Sequence, residues 1–188
     1  MSALTLYVIR HGECEHNVEG RIAAQNDSPL TARGREQVRA NGRLLKQIAG
    51  DLAQFDFFAS SLHRACATME LVREAAGLEP AGYRADRRLM EIDMGDDTWT
   101  LPRDVTHFGA DHWDYVRPNG ESMAHLQARI AAFLATLTHD AVLVTHAGPL
   151  RLIRAQLLGL SREATLEYHP PNAGIMRLSG GTETYFGA

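Results

Sequence analysis

The stretch Leu4-Thr5-Leu6-Tyr7-Val8-Ile9-Arg10-His11-Gly12 decides how the rest of the chain is read. Leu4 to Ile9 are apolar or β-favouring and lack helical spacing, so they predict a buried strand. The charged Arg10-His11 pair ends the apolar run and puts polar chemistry at the strand's carboxyl end. A neutral imidazole there is a competent nucleophile at pH 7 and leaves again readily, so a difficult transfer can be split into two easier steps.

Working outward, Thr31 caps a helix whose Val38, Leu45, Ile48 and Leu52 recur on one face, and Phe55 to Ala59 read as a second buried strand, completing a β-α-β unit. A helix from about Leu62 ends near Gly77, and a short strand is expected over Ala81 to Ala85. Ser122 caps a helix that turns Met123, Leu126, Ile130, Phe133 and Leu137 inward. Ala141 to Thr145 is another buried strand, followed by His146-Ala147-Gly148-Pro149 and a helix that stops at Gly159. Ile175 to Leu178 and Thr182 to Phe186 close the chain as strands, with His169-Pro170-Pro171-Asn172 as a turn before them that can border a pocket. This alternation predicts an α/β fold, a three-layer sandwich with a mostly parallel central sheet flanked by helices, and ligands at the strands' carboxyl ends. Between Asp93 and Gly120 the periodicity fails, so residues 93–120 are read as a short cap excursion on a single domain spanning 1–188.

Composition narrows the function. With 188 residues, 45% hydrophobic and 22% charged, the chain has the make-up of one folded domain. A formal charge of -4 gives no overall field for nucleic acid or an anionic membrane, so neither is expected as a partner and any anion site must be built locally. Cys14 and Cys66 match neither a disulfide framework nor a zinc motif and read as free thiols. With no basic leader or long apolar run at the N-terminus, a cytoplasmic setting is expected. Asp104, His107, Asp111, His112 and Asp114 match no metal motif, so no metal and no cofactor are expected, and these charges read as a solvated face or part of the substrate mouth.

After Arg10-His11-Gly12 come Glu13, Asn17, the run Asp27 to Gly34, Ser60-Ser61-Leu62-His63-Arg64-Ala65-Cys66, Leu89-Met90-Glu91-Ile92-Asp93-Met94-Gly95, Gly120-Glu121-Ser122 and Val144-Thr145-His146-Ala147-Gly148. In this order, from Leu4 to about Leu178, the chain resembles the histidine phosphatase superfamily, which holds the cofactor-dependent phosphoglycerate mutases and many small phosphatases. The resemblance implies a phosphoglycerate mutase-like fold, His11 as the residue that becomes phosphorylated, and a phosphate pocket of Arg10, Arg64 and His146, with Asn17 at a position that contacts phosphate. Physical chemistry agrees: two guanidinium forks suit the equatorial oxygens of a transferring phosphoryl group, and His146, at a strand end, is a hydrogen-bond donor to it. Gly148 is expected to let backbone approach the anion at a helix start. Glu91, in a segment resembling the family's Leu-x-Glu-x-x-x-Gly, is the candidate general acid, with Glu13 a weaker alternative.

Where the family often continues after this glycine with an aromatic, an acidic residue and a second glycine, this chain has Asp96-Asp97-Thr98-Trp99-Thr100-Leu101-Pro102. The stretch from Gly95 to Gly120 is also shorter than the corresponding insertion of the mutases. A shallow cover lets water reach a phosphohistidine. The expected activity is therefore hydrolysis of a small phosphate ester, ahead of a mutase-type phosphotransferase and of a catalytically silent phosphate-binding module. A homodimer is left open.

Overall fold

Side-chain alternation along the strands sorts the interior into two halves. The computed structural model describes residues 4–107 and 109–187 and contains, in chain order, β1 (Leu6–Arg10), α1 (Glu15–Glu19), α2 (Ala32–Ala49), β2 (Asp56–Ser60), α3 (His63–Ala76), β3 (Arg84–Asp86), α4 (Met123–Leu134), β4 (Ala141–Thr145), α5 (Ala147–Leu158), α6 (Arg162–Glu167), β5 (Ile175–Ser179) and β6 (Thr182–Phe186). Tyr7 and Ile9 of β1, with Val142 and Val144 of β4, face Val38 and Leu45 of α2 and Met69 and Val72 of α3. Leu6 and Val8, with Ala141 and Leu143, face Leu126, Ile130 and Phe133 of α4 and Leu150 and Ile153 of α5. These central strand residues are buried on both faces, which is why β1 and β4 read as unbroken apolar runs.

The six strands form one sheet in the order β3-β2-β4-β1-β5-β6. β3, β2, β4 and β1 are parallel neighbours, and only β5 runs against the rest. The sheet between its two helical layers is the α/β sandwich expected. The parallel register brings the carboxyl ends of β1, β2 and β4 to one edge, with Arg10 opposite Thr145. Among the described residues no helix is long and apolar enough to cross a membrane.

Several boundaries differ from the sequence reading. Leu52 lies outside α2, because the helix ends at Gly50 (φ +72°) and Asp51 caps a separate one-turn helix at Leu52–Gln54, where Leu52 is still buried. The third strand is Arg84–Asp86 rather than Ala81 to Ala85, since Gly82 is held in a turn against the Arg73 guanidinium and the Gly82 amide bonds to Glu79 O. Leu137 lies beyond α4: Thr136 turns its hydroxyl onto Phe133 O at 2.6 Å, a local bond that competes with the helix. The short helices α1 and α6 have no counterpart in the sequence reading.

Candidate active site

β1 delivers Arg10 and His11 to the shared edge, and the ladder runs one residue further through His11 N–H to Thr145 O at 2.9 Å. Gly12 follows because there is no room for a side chain: a Cβ would lie 2.7 Å from Gly34 O and from Val38 Cγ1. The chain turns sharply, and His11 Nδ1 meets Gly12 O at 2.8 Å. A carbonyl only accepts, so Nδ1 carries the proton and Nε2 holds the free lone pair. His11 is buried, and burial together with the Arg64 and Arg10 charges holds its imidazole well below the usual histidine range. It is a neutral imidazole fixed in one tautomer.

Arg10 donates from one terminal nitrogen to Pro170 O at 2.7 Å, while its buried Nε has no hydrogen-bond partner among the described residues. Arg64, in the first turn of α3, is 2% exposed and reaches Asn26 O and Ala24 O, each at 2.7 Å, and Asp27 at 3.3 Å. The Asp27 carboxylate also accepts the His63 and Arg64 amides, capping a helix whose own N-cap, Leu62, has no side-chain acceptor. Arg64 Nε, like Arg10 Nε, is buried and lacks a hydrogen-bond partner among the described residues. Two cationic forks are thus braced from behind, each with a donor unused.

Asn17, in α1, spends its carbonyl oxygen on the Cys14 amide at 3.1 Å, the Cys14 thiol at 3.2 Å and Asn172 Nδ2 at 3.3 Å. Its own amide NH2 is left to donate into the cavity that Asn17 lines. Asn172 also donates to His11 O at 2.9 Å, so the turn after α6 braces both residues.

His146 N-caps α5 at the end of β4, fully buried, with its ring centroid 5.0 Å from that of His11. Its Nε2 is 2.7 Å from Ser60 Oγ, and that hydroxyl already accepts from Leu62 N–H. Nε2 is thus taken by Ser60, and the buried Nδ1 has no hydrogen-bond partner among the described residues. Burial, Arg64 and His11 hold this imidazole, too, well below its usual range.

Glu91 lines the same cavity, its carboxylate receiving Ile92 N–H at 3.0 Å and Gly148 N–H at 3.1 Å. Gly148 differs from expectation here, since its amide is spent on Glu91. Its lack of a side chain is what admits the carboxylate, because a Cβ would lie 2.4 Å from Glu91 Oε1. The segment carrying Glu91 is clamped by Arg129 of α4, which donates to Arg88 O at 2.7 Å, Met90 O at 2.6 Å and Glu91 O at 2.8 Å. Its other two donors pair with Glu121, each at 2.9 Å. All five guanidinium donors are thus used.

Arg129, Asp27, Ser60 and Asn172 carried no assigned role in the sequence reading. Asp27 and Ser60 stand in the runs that carry the family resemblance, Asn172 in the turn expected to border a pocket, and Arg129 lies three residues from Leu126 and four from Phe133, on the buried stripe of α4. Glu13 lies outside the cavity, its carboxylate accepting from Thr31 Oγ1 at 2.8 Å. His107 stacks on Tyr115 with centroids 4.2 Å apart and Asp114 meets Arg162 at 3.2 Å, and neither His107 nor Asp114 lines the cavity. Among the described residues no group of three or more His, Cys, Asp or Glu is placed to hold a metal ion. Cys14 and Cys66 are free thiols, and burial pushes the Cys66 thiol up.

Known proteins share the fold that carries these residues. The chain is 31% identical over 191 residues to the probable phosphoglycerate mutase GpmB of Salmonella paratyphi C, covering 93% of this chain and 84% of that protein. The crystal structure of the alpha-ribazole phosphatase from Shigella flexneri superposes with a TM-score of 0.78 at 27% identity, covering 98% of this chain and 95% of that one. TTHB049 from Thermus thermophilus does so with a TM-score of 0.70 at 31% identity, covering 93% and 92%. The model of the histidine phosphatase superfamily (branch 1) matches residues 6–185, and the chain belongs to that superfamily.

Proposed function

We propose that this protein is a phosphomonoesterase working through a phosphohistidine on His11. The observation that carries the reading is a neutral His11, with Nδ1 tied to Gly12 O, facing a cavity it shares with Arg10, Asn17 and Arg64. Nε2 attacks phosphorus while the bond to the alcohol oxygen breaks, and the leaving oxygen takes a proton from Glu91. The unused donors of Arg10, Arg64, Asn17 and His146 suit the equatorial oxygens, whose charge they meet without reorganisation. Water then attacks the phosphohistidine, giving its proton to the Glu91 carboxylate, and phosphate and free His11 are released. No residue in this sequence of steps needs a metal, so activity is expected to survive a chelator.

The test is hydrolysis of an aryl phosphate in excess chelator by the wild type and His11→Ala, with an alkaline quench to trap the acid-labile phosphoenzyme. The wild type is expected to turn over and to carry phosphate, and His11→Ala to lose at least about 10⁴-fold in kcat/KM. Equal activity in His11→Ala overturns the mechanism. Isomerisation of a phosphoglycerate faster than phosphate release makes the protein a mutase instead, the activity named for GpmB.

A further inference from the structure

Beyond its phosphate end, the cavity is walled by Ile22, Ile92, Met94, Pro102, Met123 and Leu166, drawn from separate segments that converge on one space. Ile92 and Met94 are buried and firmly placed. No Ser, Thr, Asp or Gln is among the described lining residues, and the one carboxylate there is Glu91, already receiving two amides. A sugar bound in such a space would find few acceptors for its hydroxyl protons after giving up their water, a costly exchange.

Three further arginines line the space, and each is anchored to a backbone carbonyl of the protein. Arg21 donates to Trp99 O at 2.7 Å, Arg117 to Glu121 O at 3.1 Å with Asp97 beside it, and Arg151 to Tyr168 O with the Glu91 charge nearby.

We propose that the alcohol part of the natural ester is largely apolar, a ring or hydrocarbon body, rather than a polyhydroxylated sugar. The inference rests on the phosphomonoesterase reading for the position of the phosphate group. It assigns Ile22 and Met123 to substrate selection, because both are half-buried on the wall and tolerate a polar replacement better than the buried Met94 does.

The experiment measures binding of phosphonates, whose carbon–phosphorus bond the proposed chemistry does not cleave, by calorimetry on the wild-type protein with inorganic phosphate as the displacing ligand. 3-Phenylpropylphosphonate is expected to bind at least about tenfold tighter than 3,4-dihydroxybutylphosphonate or 2-carboxyethylphosphonate. Met123→Gln and Ile22→Gln are each expected to cut that advantage at least about threefold. Equal affinities, tighter binding of the carboxyethyl compound, or an undiminished advantage in both variants overturns the proposal. Because turnover is not involved, tight displaceable binding of the phenyl compound by a protein that hydrolyses no ester refutes the esterase reading and keeps the apolar site.

Discussion

His11, Arg64 and His146 each lie within a few residues of a paired strand, are 4%, 2% and 0% exposed, and have side-chain bonds that fix which atom remains for the ligand. Among the described residues of the cover over 93–120 are three one-turn helices, at Gly95–Asp97, Pro102–Asp104 and Ala110–His112, and its ties to Arg21 and Ile22 end on backbone atoms of Trp99 and Thr100. Trp99 N–H reaches Ile22 O at 2.8 Å, Ile22 N–H reaches Thr100 O at 3.0 Å, and Arg21 holds Trp99 O. Charge transfer requires the first kind of construction, because a phosphoryl group is stabilised only by donors already in place. Selection of the alcohol part tolerates the second kind, in which side chains can change while the backbone bonds persist.

If the floor is as preorganised as this contrast implies, small chemical changes there cost much. Arg64→Lys keeps the charge and loses the fork that spans Asn26 O, Ala24 O and the cavity. It is expected to lower kcat/KM by about 100-fold to 1,000-fold, the usual cost of removing one transition-state donor, with a similar loss for every ester tested. A loss below about threefold would place the phosphate elsewhere.

Arg129 probes the boundary between floor and cover. Arg129→Met frees the carbonyls of Arg88, Met90 and Glu91 and should loosen Glu91, the proposed proton donor, without touching the phosphate-facing arginines. The expected pattern is a loss of about tenfold in kcat/KM for an alkyl phosphate and less than about twofold for 2,4-dinitrophenyl phosphate, whose leaving group needs no proton. Glu91→Gln should show the same pattern more strongly, and Arg129→Lys an intermediate one. Equal losses on both esters would make Arg129 a stability residue only.

The two buried histidines also mark the floor in its pH response. Their native pKa values lie below the unfolded value of about 6.5, so the unfolded chain binds protons first as pH falls. The stabilisation they confer is complete above about pH 6.5 and is lost as pH drops from there toward the native values. The wild-type Tm is expected to decline between about pH 6.5 and 5, and His146→Gln to decline less steeply. Parallel declines would show that His146 is not held neutral by its surroundings.

What the sequence disclosed follows the same division. The Arg10-His11-Gly12 triplet and Val144-Thr145-His146 are legible because an apolar run abruptly meets polar residues, and the parallel pairing of β1 and β4 does the rest. The clamp at Arg129 was not legible, since its partners are backbone carbonyls about 40 residues away, and carbonyls have no signature in sequence. Gly148 was recognised as a close-approach glycine, but what approaches it is Glu91, a pairing that depends on how two loops meet. In the cover, three short helices and Trp99 at φ +71° follow no period that could be read in advance.

Trp99 gives the smallest expected effect and the sharpest contrast with Gly12. Its backbone holds a left-handed conformation that costs a side-chain-bearing residue roughly 1–2 kcal/mol, and its half-exposed ring gains an edge contact with His16 at 4.3 Å between centroids. Trp99→Gly relieves the first and forfeits the second, worth about 0.5–1.5 kcal/mol, while its N–H and C=O keep Ile22 and Arg21. Stability is expected to change by less than about 1 kcal/mol in thermal unfolding, and kcat/KM for a small aryl phosphate by less than about threefold. Gly12→Ala, a far smaller change in volume, should be much worse, because its Cβ must displace Gly34 O and Val38 in the packed floor. A hundredfold loss in Trp99→Gly would reverse the comparison, because the cover would then be holding the reacting groups rather than only choosing what reaches them.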